Sequence, residues 1–153
     1  MIRLLTKDDL PAVLTLNNAH AIEVNELTAM ALAALVKVAA YARVDDDGPA
    51  FLIALSEATP AQGPNHGWFL ARYSSFVYVD RVVVASAGRG RGIARGLYAD
   101  LAATAAGRPL CCEVNVVPAN PASLAFHEQL GFTACGEAED PRNGKRVRYL
   151  VRA

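Results

Sequence analysis

The sequence predicts a mixed α/β fold of the α+β kind, one domain over residues 1–153, in the order β-α-α-β-β-β-α-β-α-β-β. Three observations predict it. The chain has 153 residues, 53% of them hydrophobic, which suits one ordinary domain with one sizeable core, and no linker or second set of core-forming runs is visible. Short β-rich runs alternate with stretches of helical periodicity. Turn-forming clusters at residues 45–49 and 141–144 each join two strand-like runs, which places antiparallel hairpins in the first and last thirds of the chain.

Taken in order, residues 2–5 form a short apolar strand. Thr6, with Asp9 three residues on, is an acidic variant of the capping box. Leu10, Val13, Leu14 and Leu16 then repeat at helical spacing to about Asn18, with Pro11 tolerated in the first turn. A polar segment, residues 17–26, leads to a second helix that Thr28 caps and that Met30, Leu32, Leu35, Val36 and Val38 face with apolar groups. Residues 41–44 and 51–55 flank Asp45-Asp46-Asp47-Gly48-Pro49 as a hairpin. Residues 59–67 carry two prolines and two glycines and read as an exposed loop, while residues 68–73 fit a helical turn and a strand equally. Residues 76–85 are strand-like and apolar apart from Asp80-Arg81. From Gly92 to Ala106 the helical period returns, with Ile93, Leu97, Leu101 and Ala105 on one face and Gly107 as the stop. Residues 110–114 form a strand, Asn120 and Pro121 open a helix that Gly131 ends, and residues 132–135 and 147–151 are the closing strands.

Charge and cysteines narrow the partners. Lys and Arg number 15 against 15 Asp and Glu, so whole-molecule attraction to nucleic acid is not expected. Cys111, Cys112 and Cys135 are an odd number without framework spacing, which reads as buried thiols in a reducing compartment. The N-terminus becomes charged too early for a signal peptide. The longest apolar stretch, residues 29–40, is short and contains Lys37, so no membrane span is expected. The expectation is a soluble cytoplasmic protein. His20 and His66 lack partners at ligand spacing, so no metal site is assigned.

The most informative segment is Val82-Val83-Val84 followed by Gly88-Arg89-Gly90-Arg91-Gly92 and the helix after Ile93. Glycines let a backbone turn tightly and approach a ligand, and a helix start presents unpaired N–H groups and partial positive charge, a match for a diphosphate. Arg89, Arg91 and Arg95 add full charges around that point in a neutral chain. An ordinary connection with solvated arginines is the plain alternative. Gly90, Gly92 and Gly96 also suggest a dinucleotide fingerprint, with Glu113 on the next strand as a ribose ligand. Too little chain follows for the second half of a doubly wound sheet.

Here the sequence resembles the GCN5-related N-acetyltransferase (GNAT) superfamily. That family's acetyl-CoA segment is a strand, then Arg or Gln, two residues, Gly, one residue, and Gly or Ala; Arg89, Gly92 and Ala94 fill those places. Downstream, Asn120, Ser123, His127, Gly131 and Phe132 resemble its second signature, Asn-x-x-Ala/Ser-x-x-Leu-Tyr with a following Gly-Phe. The element order fits nearly the whole chain. The resemblance implies a central, mostly antiparallel sheet flanked by helices and splayed into a V between the fourth and fifth strands, residues 76–85 and 110–114. It implies a pantetheine arm pairing with backbone at Val82, Val83 and Val84, a pyrophosphate on the amides of Gly90, Arg91, Gly92, Ile93, Ala94 and Arg95, and Asn120 and Ser123 facing the cofactor. It also implies a homodimer.

Acetyl transfer to an amine needs a deprotonated amine, a polarised thioester carbonyl and protonation of the thiolate. The family's Tyr is replaced by His127, which shares a helix face with Ser123 and serves either as the acid or as packing against the cofactor. His at this place resembles the phosphinothricin-acetyltransferase-like branch. Glu113, interrupting the apolar run 110–112, is the first candidate for the base, and its place also resembles that of the base in ribosomal-protein N-acetyltransferases. Asp80 is the second, unless it simply pairs with Arg81. Cys111 and Cys112 have no neighbour placed to lower their pKa and read as core. Substrate selection falls to residues 17–26 and 59–68: Glu23 and Glu26 suit a cationic acceptor, Arg72 or Arg81 a carboxylate. The expected activity is acetyl-CoA-dependent N-acetylation of a small-molecule amine. A protein or peptide N-acetyltransferase and a non-catalytic acyl-CoA-binding module are the alternatives.

Overall fold

Three consecutive aspartates turn the chain back on itself and set the register of the first strands. Asp45 accepts a hydrogen bond from the Asp47 N–H at 2.9 Å, an Asx-type turn. Strand β2 (Tyr41–Asp45) thereby runs antiparallel to β3 (Ala50–Ser56), with Asp45 opposite Ala50. Strand β1 (Ile2–Leu4) lies on the other side of β2. The apolar run in β3 is buried on both faces, the environment that a strand without polar alternation requires.

The computed structural model describes residues 1–153. It divides into two units, each made from two stretches of chain: Met1–Leu55 with Val79–Thr104, and Ser56–Tyr78 with Ala105–Ala153. The first unit orders its strands β1-β2-β3-β4, where β4 spans Val77–Val84 and gives its first two residues to the second unit. Its helices are α1 (Leu10–Asn18), α2 (Ala21–Val24), α3 (Ala29–Val38) and α5 (Ile93–Ala105). Thr28 caps α3 as its sequence predicts, accepting from the Ala31 N–H at 3.1 Å. Ile93, Leu97, Leu101 and Ala105 are buried along one stripe of α5, and Val13, Leu32, Leu35 and the β3 side chains complete the core.

In the second unit the start of β4 runs parallel to β5 (Leu110–Val117), pairing Val77 with Leu110 and Tyr78 with Cys111. Strand β5 is antiparallel to β7 (Arg146–Arg152), and β7 to β6 (Thr133–Glu139). Two helices belong to this unit, α4 (Pro64–Leu70) and α6 (Pro121–Gln129). The element order predicts the mixed α/β class, the GNAT resemblance implies the mostly antiparallel sheet, and the structure adds the parallel pair of β4 and β5.

Two expectations need correction. Residues 59–67 are not an exposed loop throughout: Pro64 takes the first position of α4, and Asn65 and His66 are buried. The turn-forming residues hid a helix that buries Phe69 completely and leaves Trp68 half-buried. The segment at 17–26 likewise contains α2, and Asn17 is fully buried in it.

Candidate active site

The Gly-rich turn is built entirely in the first unit. After β4 the chain makes one 3₁₀ turn, Ser86–Gly88, and Gly88 is buried against the backbone of Gly48 so closely that a Cβ would collide with it. Gly90 and Gly92 then adopt φ +77° and +76° with open space where a Cβ would be, so glycine is required there by the backbone and not by packing. The first α5 hydrogen bond runs from Gly96 N–H to Gly92 C=O at 3.0 Å, which leaves the N–H groups of Ile93 and Ala94 ahead of the helical ladder. Arg89, Arg91 and Arg95 are exposed around this point, and Arg91 donates to the Asp47 carbonyl at 3.0 Å. Val83 is buried, while Val82 and Val84 are partly open. An exposed helix start with three cations and no side chain over the glycines fits a diphosphate.

Asp80 and Arg81, also in the first unit, are occupied with each other. The Arg81 Nε donates to the Asp80 carboxylate at 2.8 Å, and its Nη1 donates to Asn17 Oδ1 at 2.9 Å and Asn25 O at 3.3 Å. Asn17 returns a hydrogen bond to the same Asn25 carbonyl at 3.0 Å. This buried cluster ties the α1–α3 connection to β4. It leaves Asp80 in an ion pair and Arg81 out of reach of a ligand.

Glu113 stands in a different setting, in β5 of the second unit. Its register partner on β7 is Tyr149, so the two side chains share one face, and Gly136 of β6 is opposite Tyr149. Tyr78 of β4 donates its hydroxyl to Glu113 Oε1. Tyr149 donates to Asn65 Oδ1 at 2.8 Å, and burial, with the charges of Glu113 and Asp140, pushes its phenol up to about 12, so it remains a donor at neutral pH. The α4 side chains cover this face. Trp68 stacks on Tyr149 with ring centres 4.1 Å apart, in the space left by the missing Cβ of Gly136. His66 stacks on Tyr78 at 5.5 Å. Its Nδ1 accepts from the Gln62 N–H and its Nε2 donates to the Ser56 carbonyl, each at 3.1 Å, which fixes one neutral tautomer. Arg72 lies over the Trp68 ring at 4.0 Å and donates to the Trp68 carbonyl.

Helix α6 carries the remaining expected residues. Asn120 Oδ1 accepts from the Ser123 N–H at 3.2 Å, capping the helix. His127 is buried, with its ring edge-on to Phe126 and Phe132. Its Nδ1 lies 2.7 Å from the Ser123 carbonyl, so Nδ1 is the donor there. Burial pulls its pKa below the ordinary histidine value, although the carbonyl pulls the other way. At neutral pH the ring is therefore uncharged, with its proton committed to a backbone acceptor.

A profile of the acetyltransferase (GNAT) family matches residues 37–132. The chain belongs to the GNAT acetyltransferase family.

Solved GNAT structures share its fold along nearly the whole chain. Ard1 from Thermoplasma volcanium has a TM-score of 0.76 at 12% identity, covering 99% of this chain and 95% of its own. Arabidopsis thaliana NAA60 in complex with acetyl-CoA scores 0.72 at 14% identity, covering 99% and 97%. The ribosomal-protein-S18-alanine N-acetyltransferase from Escherichia coli scores 0.71 at 18% identity, covering 99% and 91%. At these identities the likeness is one of fold. No curated protein matches the sequence. None of the three structures speaks for the phosphinothricin-acetyltransferase-like branch, a resemblance that rested on His127.

Within this GNAT chain, the sequence singles out Glu113 as a candidate because a carboxylate breaks an apolar run. It did not find Tyr78, Tyr149, Asn65 or His66, which lie 35 to 84 positions from their hydrogen-bond partners or look like loop residues. Cys111 and Cys112 are core residues: burial pushes the Cys111 thiol up to about 12 and Cys112 well above its ordinary value. No group of His, Cys, Asp and Glu is arranged to hold a metal ion.

Proposed function

We propose that this protein transfers the acetyl group of acetyl-CoA to a primary amine of a small molecule, both units serving one acyltransferase domain. The observation that carries the reading is the pair of left-handed glycines, Gly90 and Gly92, leading into the open start of α5 among three exposed arginines. In this reading Gly90 to Arg95 receive the pyrophosphate, Val82 to Val84 offer backbone to the pantetheine arm, and Asn120 and Ser123 face the cofactor as the family resemblance implies.

Glu113 takes the proton from the acceptor ammonium. The freed amine nitrogen bonds to the thioester carbonyl carbon, that nitrogen gives its second proton to water, the C–S bond breaks, and the sulfur leaves as a thiolate that takes a proton from water. One ammonium and one thioester thus become one amide, one thiol and one proton. Tyr78 holds the Glu113 carboxylate in place by donating its hydroxyl to it. Asp80 is not used as base, because Arg81 neutralises it. His127 acts by packing: a general acid at Nε2 would have to be an imidazolium, which its burial disfavours.

A second reading takes a protein N-terminus as acceptor, and the ribosomal-protein-S18-alanine N-acetyltransferase among the structures of like fold favours it. Thiol release from acetyl-CoA over a panel of small amines and short peptides tests both readings. Turnover of small amines is the expected result. Turnover of peptides alone selects the second reading, and tight CoA binding without turnover of any amine makes the protein a binding module. We also propose a cytoplasmic homodimer. No helix is long and apolar enough to cross a membrane, and sedimentation as a monomer overturns the dimer.

A further inference from the structure

Asn25 of the first unit is held in a backbone conformation that its side chain resists. It lies in the connection between α2 and α3 with φ +63° and ψ 142°, a region that an L residue enters only when its surroundings impose it. Here they do. The Asn25 carbonyl accepts from the Arg81 Nη1 at 3.3 Å and from the Asn17 amide at 3.0 Å, and the Asn25 N–H donates to the Ala21 carbonyl at 3.1 Å. Asn18 fastens the next turn of chain: its amide donates to the Leu27 carbonyl and its Oδ1 accepts from the Leu27 N–H, each at 3.0 Å. Asn17 is fully buried, and the Arg81 side chain is only 9% exposed. Residues 18–27 are thus a loop pinned by covered polar groups, and at its apex, in α2, Ile22 is 72% exposed. Backbone strain that is over-determined in this way collects at ligand sites.

The loop is fastened to β4 at the residue where the cofactor would end. On the acetyl-CoA reading, on which this inference rests, the pyrophosphate lies at Gly90 to Arg95 and the pantetheine arm beside Val84 to Val82. The cofactor then runs backwards along β4, and its thioester falls at the Arg81–Val82 end of the strand. Arg81 immediately precedes Val82 and commits its Nη1 to the loop, through Asn17 and Asn25. We infer that Arg81 and Asn17 are positioning residues: they hold the 18–27 loop beside the thioester as a preformed wall of the acceptor site. Ile22 is the side chain of that wall that meets the acceptor, so the preferred amine carries an apolar substituent. A wall ordered in advance spares the acceptor the cost of ordering it.

Steady-state kinetics on two series of amines matched in size, one alkyl- or aryl-substituted and one hydroxylated, test it, with CoA affinity from calorimetry beside them. The unaltered protein is expected to prefer the apolar series. Ile22→Ser, at an exposed position, should raise KM for the apolar series and lower the preference by about tenfold, within what burial of an isoleucine side chain supplies, and should spare CoA affinity. Arg81→Lys keeps a charge beside Asp80 but loses the fork that reaches Asn17 and Asn25, so it should lower the same preference. The double variant should do no more than either alone, because both act through one contact. Apart from activity, hydrogen exchange at the Asn25 and Leu27 amides should quicken in Arg81→Lys while α5 keeps its protection. A merely structural Arg81 would weaken both series alike, and its effect would add to that of Ile22→Ser. Additive losses, or unchanged exchange at those two amides, overturn the latch. Turnover without a preference for the apolar series, or a preference that survives Ile22→Ser, overturns the acceptor wall and leaves the transferase reading standing. Tight CoA binding without turnover of any amine overturns both.

Discussion

Glu113 and Asp80 show how differently two carboxylates in adjacent strands are treated. Both interrupt apolar runs, and the sequence ranks them only by position. The structure separates them by partner: a full positive charge for Asp80, a phenol for Glu113. Glu113→Gln is expected to lower kcat by roughly 10²- to 10⁴-fold with CoA affinity unchanged, the scale of a lost general base; a kcat within a factor of a few of the parent would remove Glu113 from the mechanism. Tyr78→Phe removes a hydrogen bond that favours the charged carboxylate, so the acid limb of the kcat/KM profile is expected to move to higher pH. Tyr149 on β7 shares this face, the Arg142 guanidinium of the β6–β7 turn interacts electrostatically with the carboxylate, and both remain unchanged in that variant. An acid limb that stays in place would show that Tyr78 has a packing role only. The Asp80–Arg81 pair was legible as two neighbouring opposite charges, whereas the partners of Glu113 were not, because Tyr78, Glu113 and Tyr149 are dispersed along the chain and meet only through strand pairing.

The elements themselves were largely legible, for reasons that differ from one to the next. Thr28 and Asn120 mark helix starts because an oxygen-bearing side chain there meets an orphan N–H, and both make that bond. Helix α4 was missed because Gly63, Pro64, Asn65 and Gly67 carry turn propensity, and tertiary burial of Asn65, His66 and Phe69 overrides it. The loop before α5 was read correctly as a turn into a helix. Gly92→Glu is expected to abolish CoA binding in a folded protein, since it forces a bulky, negative residue into a left-handed conformation at the proposed diphosphate site. Unchanged CoA affinity in that variant, by calorimetry, would dismiss the site. In α6 the consequence is one of pH. His127 has its pKa lowered in the fold, so its contribution to stability is present above the unfolded value near 6.5 and is lost as pH falls below it. The urea midpoint should fall between pH 7.5 and pH 5.5, and His127→Phe should flatten that slope; identical slopes would mean the ring is not buried in solution. The same variant should keep kcat well within the roughly hundredfold loss that removal of a general acid brings.

At the scale of the molecule, each unit is assembled from two separate stretches of chain, so neither can be read from one continuous segment. Composition suggested one domain from length and hydrophobic content, and it carried no information on how the chain distributes itself. Charge was more telling: a neutral chain that gathers arginines at one turn suggests a small anionic ligand over a polyanion. Saturating CoA, at about a hundred times its dissociation constant, should stabilise the protein by about 2.7 kcal/mol, which is roughly 5–10 °C in Tm for a chain of this size. No shift with millimolar CoA would contradict the cofactor proposal.

The glycines of the first unit answer to two separate constraints, and this has an evolutionary consequence. Gly90 and Gly92 are held by their dihedral angles alone, so asparagine, which tolerates the left-handed region, is an accessible neighbour in sequence space. Gly48 and Gly88 press their backbones together, and a Cβ on Gly48 would also meet the Ile93 side chain. Neither position gains room when the other changes, because both are already at the smallest residue. Drift in this lineage should therefore pass through the two outer glycines and leave 48 and 88 fixed together, tying a hairpin turn and a ligand loop to a common fate.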